Sequence, residues 1–260
     1  MGVDGRPAGD VDYRRFGAGY ARRRRADPRI ARLILSALGP SRTVLNVGAG
    51  AGSYEPADRD VIAVEPSEAM LAQRPAGGYR CLRAVAGSLP LADDAVDASM
   101  ATITIHQWPD HLAGLDEMRR VTVGPVVVLT FDPDALATLW LAEYSPELYA
   151  AEGRRYPPVG AVMAALGPGA TSRPVPVPFD CTDGFTEAFY GRPEAFLDPE
   201  VRRSQSAWSF VPPEAEARAV EALATDLATG RWDEQHGQLR HEESLIGSLR
   251  LVVDPGREEQ

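Results

Sequence analysis

The sequence predicts a doubly wound α/β fold: a Rossmann-like, mostly parallel seven-stranded sheet with helical cap insertions. Short β-rich runs alternate with helical stretches from about residue 41 to 132, as in parallel sheets covered on both faces. The first run ends in the glycine-rich stretch GAGAG at residues 48–52, where such a sheet turns toward a ligand. The continuous run VVVL at residues 126–129 suits a strand that is buried on both faces.

The elements can be assigned in order along the chain. Ile30, Leu33, Ile34 and Leu38 recur at helical spacing, and Gly39-Pro40 ends that helix. The predicted strands that follow are TVLNVGAG, DVIAVEPS, RCLRAVAG, AVDASMATITI and GPVVVLTFDP, with helices SEAMLAQRP and HLAGLDEMRRV between them. Prolines at alternate positions of SRPVPVPFD place a sixth strand at a sheet edge, and SLRLVVD supplies the last strand.

The composition is that of a globular protein. A chain of 260 residues can bury a core that needs no disulfides. No apolar run approaches the roughly 20 residues that cross a bilayer, and residues 1–25 lack the apolar stretch of a secretory signal. We therefore expect a cytoplasmic protein with no membrane partner. Cys81 and Cys181 are then expected to be reduced, and Cys181 is either a small core residue or a reactive thiol.

The charged residues exclude several functions. All 27 basic residues are arginine, so no lysine can form a Schiff base, bind phosphate in a P-loop or serve a Tyr-x-x-x-Lys dehydrogenase pair. A net charge of −10 disfavours nucleic acid as a partner. The run Arg22–Arg25 is predicted to be the solvated start of a helix, with an anion clamp as the alternative. The sequence leaves the oligomeric state open.

The glycine-rich loop is predicted to hold a cofactor. Gly48, Ala49, Gly50 and Gly52 follow the first strand directly. Glycine permits positive φ and lets backbone N–H groups approach a ligand closely. The alternative is a tight turn without a ligand.

Glu65 is the acidic partner of this loop. It ends the second predicted strand, the position at which a doubly wound fold places a carboxylate on ribose hydroxyls. The alternative is a solvated charge at a strand end. Loop and acid together predict an adenosine-containing cofactor. A nicotinamide cofactor is less favoured, because Ser53 occupies the third glycine position of G-x-G-x-x-G.

Five motifs in order carry a family resemblance. They are TVLNVGAGAGSYEP, VIAVEPSEAMLAQRP, GSLPLADDAVDASM, HQWPD and EMRRVTVGPVVVLTFDP. Together they resemble the class I S-adenosylmethionine-dependent methyltransferases, closest to the small-molecule branch of the methyltransferase type 11 kind. The resemblance covers roughly residues 10–135 well and the remainder weakly. It implies S-adenosylmethionine as the cofactor.

The resemblance also implies roles for individual residues. The glycine loop passes under the methionine part of the cofactor, and Glu65 holds the ribose. The residues expected to flank the adenine are Pro66, Ser67, Met70, Ser88 and Leu89. Tyr20, with Tyr13, precedes the core and is expected either to close over the cofactor or to anchor an amphipathic helix.

Two positions depart from the family pattern. Val85 and Ala86 stand where an acidic residue usually contacts the adenine amino group, which leaves that contact to backbone carbonyls or to Ser88. Asn46 replaces a usual aspartate or glutamate and removes one buried negative charge. Glu55 is predicted to lie in the first turn of a helix, where its charge favours the positive helix end, and a role in substrate binding is the alternative.

His106 is the candidate catalytic base. It ends the fourth predicted strand, beside the point of methyl transfer that the resemblance implies, and a base helps where the acceptor is a hydroxyl. The alternative is that His106 caps the following helix or forms a hydrogen bond with the loop. Trp108, Trp140 and Tyr144 are expected to line the acceptor site. His236 and His241 lack convincing metal-ligand spacing, so no metal is predicted.

A single methyltransferase domain of residues 1–260 is expected. Its predicted parts are an N-terminal helical lid (1–40), a cofactor-binding core (41–132), cap segments (133–170 and 183–245) and edge strands (171–182 and 246–254). The predicted function is methyl transfer to a small organic acceptor, with oxygen favoured over nitrogen or carbon and a place in secondary metabolism. The alternatives are a non-catalytic adenosine-cofactor-binding protein and a nicotinamide-dependent oxidoreductase.

Overall fold

A computed structural model describes residues 23–74 and 80–256. The α-helices are α1 (Pro28–Ala37), α2 (Glu68–Leu71), α3 (His111–Val121), α4 (Leu141–Tyr144), α5 (Pro146–Arg155), α6 (Val159–Leu166), α7 (Pro199–Arg203), α8 (Pro213–Thr229) and α9 (Arg231–His236). The strands are β1 (Thr43–Val47), β2 (Asp60–Val64), β3 (Arg80–Leu82), β4 (Ala98–Thr102), β5 (Val126–Phe131), β6 (Thr171–Pro174), β7 (Val177–Pro178), β8 (Ser244–Leu245) and β9 (Leu249–Asp254). Single 3₁₀ turns span Ile105–Gln107, Leu136–Thr138, Thr186–Phe189, Pro193–Leu197, Ser206–Phe210 and Gly237–His241.

The main sheet has seven strands in the order β3-β2-β1-β4-β5-β9-β6. Strands β1 to β5 pair in parallel, and β9 runs antiparallel to both β5 and β6. The predicted seven-stranded, mostly parallel α/β fold is confirmed. The order reverses between β1 and β4, which is the switch point where such sheets bind ligands at the carboxyl ends of their strands.

Two predictions about the last strands need correction. The segment 246–254 is not an edge strand, because β9 lies between β5 and β6. Its successive residues Leu251 and Val252 are buried on opposite faces, which an internal strand requires. The segment 171–182 divides in two: β6 lies at the sheet edge, whereas β7 pairs with β8 in a separate two-stranded sheet.

Helix α1 covers one face of the sheet. Asp27 caps it by accepting a hydrogen bond from the Arg29 backbone N–H at 2.9 Å. Ile30 and Ile34 then pack into the core that includes alternate residues of β4 and β5. Residues 28–37 are therefore part of the sheet covering, so the predicted lid of residues 1–40 does not extend to α1. The rest of that lid, residues 1–22, lies outside the described residues.

The opposite face of the sheet is covered by α3 and α6. Helix α3 has the bounds that the sequence predicted, and Asp110 caps it by accepting from the Ala113 backbone N–H. Val162 and Leu166 of α6 join the same core as Leu115 of α3. The assignment of all of residues 133–170 to a cap is therefore wrong for α6, whose strongly apolar sequence serves the crossover between β5 and β6.

The connection between β1 and β2 contains turns and no helix across residues 48–59, all of which the structure describes. Gly48, Gly50, Gly52 and Tyr54 all have positive φ, which a helix does not allow. The prediction that Glu55 lies in a first helical turn is therefore wrong. Among the described residues no helix is both long enough and apolar enough to cross a membrane.

Candidate active site

The glycine loop folds back onto the end of β2. The backbone N–H groups of Gly48 and Ala49 both donate to the Val64 carbonyl, at 2.9 and 3.0 Å. Gly48 has a φ of +69°, and a Cβ at this position would lie 2.1 Å from Thr104 Oγ1. Because both the backbone conformation and the space exclude a side chain, the loop needs glycine at position 48.

Glu65 is bound directly to this loop. Its Oε2 accepts from the Gly50 N–H and its Oε1 from the Ser67 N–H, each at 2.8 Å. Burial raises the pKa of this carboxyl, while the two N–H donors and the charge of Arg74 act in the opposite direction. The predicted pair of glycine loop and strand-end acid is thus one hydrogen-bonded unit.

A network of buried polar side chains stabilises the glycine loop. Asn46 Nδ2 donates to Glu55 Oε1 at 2.9 Å, and Arg74 Nη2 donates to Glu55 Oε2 at 2.6 Å. Arg74 also reaches the Gly50 carbonyl through Nη1 at 3.4 Å. Asn46 and Glu55 therefore hold the loop together, a role that the sequence analysis missed because Arg74 is distant in sequence.

A first cleft opens against the loop and Glu65, and we call it the cofactor cleft. Its walls are Arg24, Gly48, Ala49, Gly50, Ala51, Ser53, Tyr54, Glu65, Met70, Thr102, Ile103, Thr104, Gln107 and Asp183. Gly48, Ala49, Gly50, Glu65 and Met70 were predicted as cofactor residues, and the structure brings them together here.

The other predicted cofactor residues that the structure describes are not part of the wall of this cleft. Ser67 is buried at the start of α2, next to Pro66, and Gly52 faces Glu55 and Arg74. Leu89 is buried in the core below α3, whereas Ser88 is exposed. Tyr20 and Tyr13 lie outside the described residues.

A second cavity adjoins the first, and we call it the acceptor cavity. Its walls are Arg24, Ile103, His106, Gln107, Phe131, Leu136, Leu148, Tyr149, Glu152, Tyr156, Phe185, Thr186, Glu187, Gln205, Ser206 and Ala207. Arg24, Ile103 and Gln107 line both spaces, so these residues mark the junction.

Ile103 has an unusual backbone conformation at this junction. Its φ is +50°, although β-branched residues rarely adopt the left-handed region. Such strain persists only where the surroundings impose it, and it is concentrated at functional sites. The residue directly follows β4, so the chain turns sharply where the two spaces meet.

Arg24 is held at the junction by a buried ion pair. Its Nε donates to Asp183 Oδ1 at 2.5 Å, and Tyr54 donates its hydroxyl to Asp183 Oδ2 at 2.9 Å. These three residues connect the N-terminal segment, the glycine loop and the cap. The prediction that Arg22–Arg25 forms a solvated surface is therefore wrong for Arg24.

His106 contributes its ring to the acceptor cavity. The ring is buried and packs against Tyr156 at a centroid distance of 4.5 Å, and its Nδ1 has no hydrogen-bond partner among the described residues. Burial, together with the charges of Arg155 and Arg24, holds the pKa of His106 well below its usual range. The imidazole is therefore neutral at pH 7. It does not cap α3, because Asp110 does.

The three predicted acceptor residues line neither the cofactor cleft nor the acceptor cavity. Trp108 packs on Gly114 in the core below α3, where a Cβ on that glycine would meet the indole at 2.4 Å. Trp140 donates Nε1–H to the Tyr190 carbonyl at 2.7 Å and contacts the Trp232 ring edge-on. Tyr144 donates to Asp226 at 2.9 Å. All three are packing residues, because their side chains form hydrogen bonds or apolar contacts with other parts of the protein.

Sequence reasoning missed much of the real cavity wall. Four of its side chains carry buried polar atoms that have no partner among the described residues: His106 Nδ1, Tyr149 Oη, Glu187 Oε2 and Gln205 Nε2. The signal that the sequence offers for this region is the number of aromatic residues within 133–245, which include Tyr149 and Phe185. Glu187 and Gln205 lie in 3₁₀ or irregular segments whose sequence has no diagnostic periodicity.

Cys181 is a core residue. It is buried, and burial raises the pKa of its thiol to about 12, so the reactive thiolate is disfavoured. Within residues 23–74 and 80–256, no cluster of three or more histidine, cysteine or carboxylate side chains suited to a metal ion occurs.

Comparison with known proteins supports the family resemblance. The family described as "Methyltransferase domain" matches residues 45–124. Uncharacterized methyltransferases of Mycobacterium sp. strains KMS and MCS are 34% identical over 110 residues, which is 40% of this chain and 41% of theirs. The chain thus matches about two fifths of the length of these curated relatives.

Solved structures extend the similarity over most of the chain. A candidate methyltransferase from an antibiotic biosynthesis pathway of Anabaena variabilis is 28% identical, with a TM-score of 0.83 over 89% of this chain and 98% of that chain. A Thermotoga maritima S-adenosylmethionine-dependent methyltransferase, named as a possible histamine N-methyltransferase, shares the fold at 16% identity. Its TM-score is 0.56 over 94% of this chain and 98% of that chain.

The fold, the loop with its acid and these matches indicate one class of protein. Residues 45–124 match a methyltransferase domain, and the chain as a whole is similar to class I S-adenosylmethionine-dependent methyltransferases. The cofactor cleft suits S-adenosylmethionine, because exposed backbone, a carboxylate and the apolar Met70 side chain face the same space.

Proposed function

We propose that this protein transfers the methyl group of S-adenosylmethionine to a hydroxyl oxygen of a small, largely aromatic organic acceptor. The observation that carries the proposal is the pair of adjoining spaces that share Arg24, Ile103 and Gln107. One space has the features of a cofactor site, and the other has aromatic walls. The similarity to the Anabaena candidate from an antibiotic pathway supports a role in secondary metabolism.

In the cofactor cleft, Glu65 would accept hydrogen bonds from the ribose hydroxyls. Each of its oxygens already accepts one backbone N–H and has a further lone pair to offer. The backbone of Gly48–Gly50 would approach the methionine part, and Met70 would pack on the adenine. When bound, S-adenosylmethionine supplies a methyl group on a positively charged sulfur, which is already activated for transfer.

The acceptor cavity would orient the acceptor and exclude water. Three aromatic rings form one continuous wall. The ring of Phe131 lies 5.5 Å from that of Tyr156 and 5.4 Å from that of Phe185, measured between centroids. Such a wall holds a flat apolar molecule, and positioning of this kind supplies much of the rate of a two-substrate reaction. Ile103 and Gln107 would lie beside the reacting atoms.

His106 would act as the general base. An acceptor hydroxyl loses its proton as its oxygen gains the methyl group, and a neutral imidazole in the cavity wall can take that proton. His106 is neutral because burial lowers its pKa, and its Nδ1 has no competing partner among the described residues. This favours oxygen as the methylated atom.

The proposal is tested first on the cofactor. The purified protein is examined by mass spectrometry under native conditions, with added S-adenosylhomocysteine and, separately, NADH. We expect a mass shift with the first compound and none with the second. A preference for NADH would contradict the proposal and favour an oxidoreductase.

Turnover is tested with S-adenosylmethionine that carries a deuterated methyl group and a panel of phenols. The expected product is an aryl ether that is heavier by the labelled methyl group. Cofactor binding without any labelled product across the panel would instead favour a non-catalytic binding protein.

A further inference from the structure

The wall of the acceptor cavity includes the buried carboxyl group of Glu187, and only one of its two oxygens accepts hydrogen bonds from described residues. Glu187 Oε1 accepts two hydrogen bonds from Ser248, from the backbone N–H at 2.7 Å and from Oγ at 2.6 Å. Oε2 is buried and has no partner among the described residues. A buried acceptor without a partner is destabilising, so a ligand that supplies a donor would recover this free energy.

The arginines of this region bond to other carboxylates. Arg24 pairs with Asp183, and Arg155 Nη1 pairs with Glu152 Oε1 at 2.5 Å. Arg250, whose charge acts on Glu187 from a distance, pairs through Nη2 with Asp132 Oδ2 at 3.1 Å. In the described part of the chain, no guanidinium donates a hydrogen bond to Glu187, so the cavity wall has a carboxyl group without a bonded cation.

The surroundings of Glu187 suit a cation with N–H donors. Tyr149 and Gln205 line the same cavity as Glu187, and the Tyr149 hydroxyl has no hydrogen-bond partner within residues 23–74 and 80–256. The aromatic faces of Phe131 and Phe185 also line it, and such faces attract an organic cation. Burial raises the pKa of Glu187, while its hydrogen bonds with Ser248 lower it. A bound cation would favour the carboxylate form further.

We infer that the acceptor carries a protonated amine, which Glu187 binds at the end of the acceptor cavity away from the cofactor cleft. Of these two spaces, Glu187, Tyr149 and Gln205 line the acceptor cavity alone, whereas Ile103 and Gln107 line both. Glu187 also lines a third pocket, together with Trp140 and Gly247. The amine is therefore an anchor, and a hydroxyl at the other end of the molecule is the group that is methylated. This inference rests on the proposed function for the identity of the reacting end.

Binding to the wild-type protein tests the anchor without requiring turnover. Tyramine, 4-ethylphenol and 3-(4-hydroxyphenyl)propanoate have similar size but carry a cation, no charge and an anion at the end away from the phenol. Calorimetric titration of each into the protein saturated with S-adenosylhomocysteine should give at least about tenfold tighter binding for tyramine than for 4-ethylphenol. Equal or weaker binding of the amine would overturn the inference.

Variants assign the preference to Glu187. Glu187→Gln keeps an oxygen for Ser248 and removes the charge, so the ratio of tyramine to 4-ethylphenol affinity should fall to near one. Tyr149→Phe is a second, milder variant and should reduce the ratio severalfold. Glu200→Gln, on an exposed carboxylate of α7, is the matched control and should leave the ratio unchanged. A ratio that persists in Glu187→Gln with wild-type affinity for S-adenosylhomocysteine would overturn the assignment.

Failure of this inference can be told from failure of the proposed function. Methylation of neutral phenols with no preference for amines would leave the methyltransferase proposal intact and remove the anchor. Amine binding that depends on Glu187, with methyl transfer to none of the phenols, would keep the anchor and contradict the proposed reaction.

Discussion

Glu65 shows how a single side chain can shape a site before any ligand arrives. Its two carboxylate oxygens bind two backbone N–H groups, one from the glycine loop and one from the start of α2. The carboxylate therefore has a fixed orientation, and this reduces the conformational entropy that cofactor binding must overcome.

Replacement of Glu65 should weaken cofactor binding. In Glu65→Ala the charge-assisted contacts are lost, and we expect an affinity for S-adenosylhomocysteine lower by about tenfold or more in calorimetry. Glu65→Gln should show a smaller loss, because one oxygen acceptor remains. Asp58→Asn, on a side chain that is 82% exposed in the same region, is the control and should bind normally. Unchanged affinity in Glu65→Ala would remove the assigned contact.

His106 should set the acid limb of the activity profile. Because burial lowers its pKa, the imidazole stays neutral and able to accept a proton down to a pH well below 6.5. Activity should therefore be lost only well below pH 6.5, and His106→Ala should lower kcat by about 100-fold or more without changing cofactor affinity. A threefold or smaller decrease in kcat would contradict its role as a base.

The same pKa shift predicts a pH dependence of stability. His106 in the unfolded chain takes up a proton near pH 6.5, whereas the folded protein resists protonation until a much lower pH. The unfolded state therefore binds more protons in this interval, and stability falls as the pH decreases below about 6.5. His106→Gln should reduce the loss of Tm between pH 7 and 5, whereas the exposed control His241→Gln should behave like wild type.

At the level of elements, the glycine loop depends on both backbone conformation and space. Gly48 and Gly39 have similar positive φ angles, +69° and +61°. A Cβ at position 48 would collide with Thr104, whereas a Cβ at position 39 would meet no atom within 4 Å. The two glycines thus separate the effect of backbone strain from that of the close approach.

Alanine at these two glycines should therefore differ in effect. Gly39→Ala should cost roughly 1–2 kcal/mol of stability from backbone strain and leave cofactor binding unchanged. Gly48→Ala should cost more stability and should abolish or severely weaken binding of S-adenosylhomocysteine, because the loop must move away from Thr104. Denaturant unfolding and calorimetry measure the two effects. Equal behaviour of the two variants would contradict the role assigned to the contact with Thr104.

The elements also show which sequence patterns are informative. Helix α3 was predicted to the residue, because a capping aspartate precedes a clear amphipathic run. Strand β9 was misplaced at an edge, since a short apolar run does not reveal its neighbours in the sheet. Helix α6 was assigned to the cap because it follows the stretch in which strands and helices alternate, and its almost uniformly apolar sequence does not show which side faces the sheet.

At the scale of the whole molecule, cofactor binding should stabilise the fold. A ligand at 100 times its Kd contributes about 2.7 kcal/mol, and a chain of this size gains roughly 2–4 °C per kcal/mol, so Tm should rise by about 5–10 °C. S-adenosylhomocysteine should give this shift in a thermal melt, and NADH at the same concentration should give none. The reverse pattern would contradict the cofactor assignment.

The cofactor site was more predictable than the acceptor site. Gly48, Gly50 and Glu65 lie within 18 residues of one another and follow consecutive strands, so local patterns place them together. The acceptor cavity instead combines Arg24, Ile103, Tyr156 and Glu187, which only the tertiary fold brings together. Trp140 was a plausible wall residue by composition, but its indole N–H is satisfied inside the cap.

The cofactor cleft and the acceptor cavity are formed by different parts of the chain, and this has an evolutionary consequence. The acceptor cavity is built largely from residues 131–207, and the cofactor cleft largely from residues 48–107. Related proteins can therefore change residues equivalent to 131–207 and accept new substrates, while residues equivalent to 48–107 remain the same and continue to bind the cofactor. Substitutions at Arg24, Ile103 and Gln107 should be the least tolerated, because each of these residues lines both the cofactor cleft and the acceptor cavity.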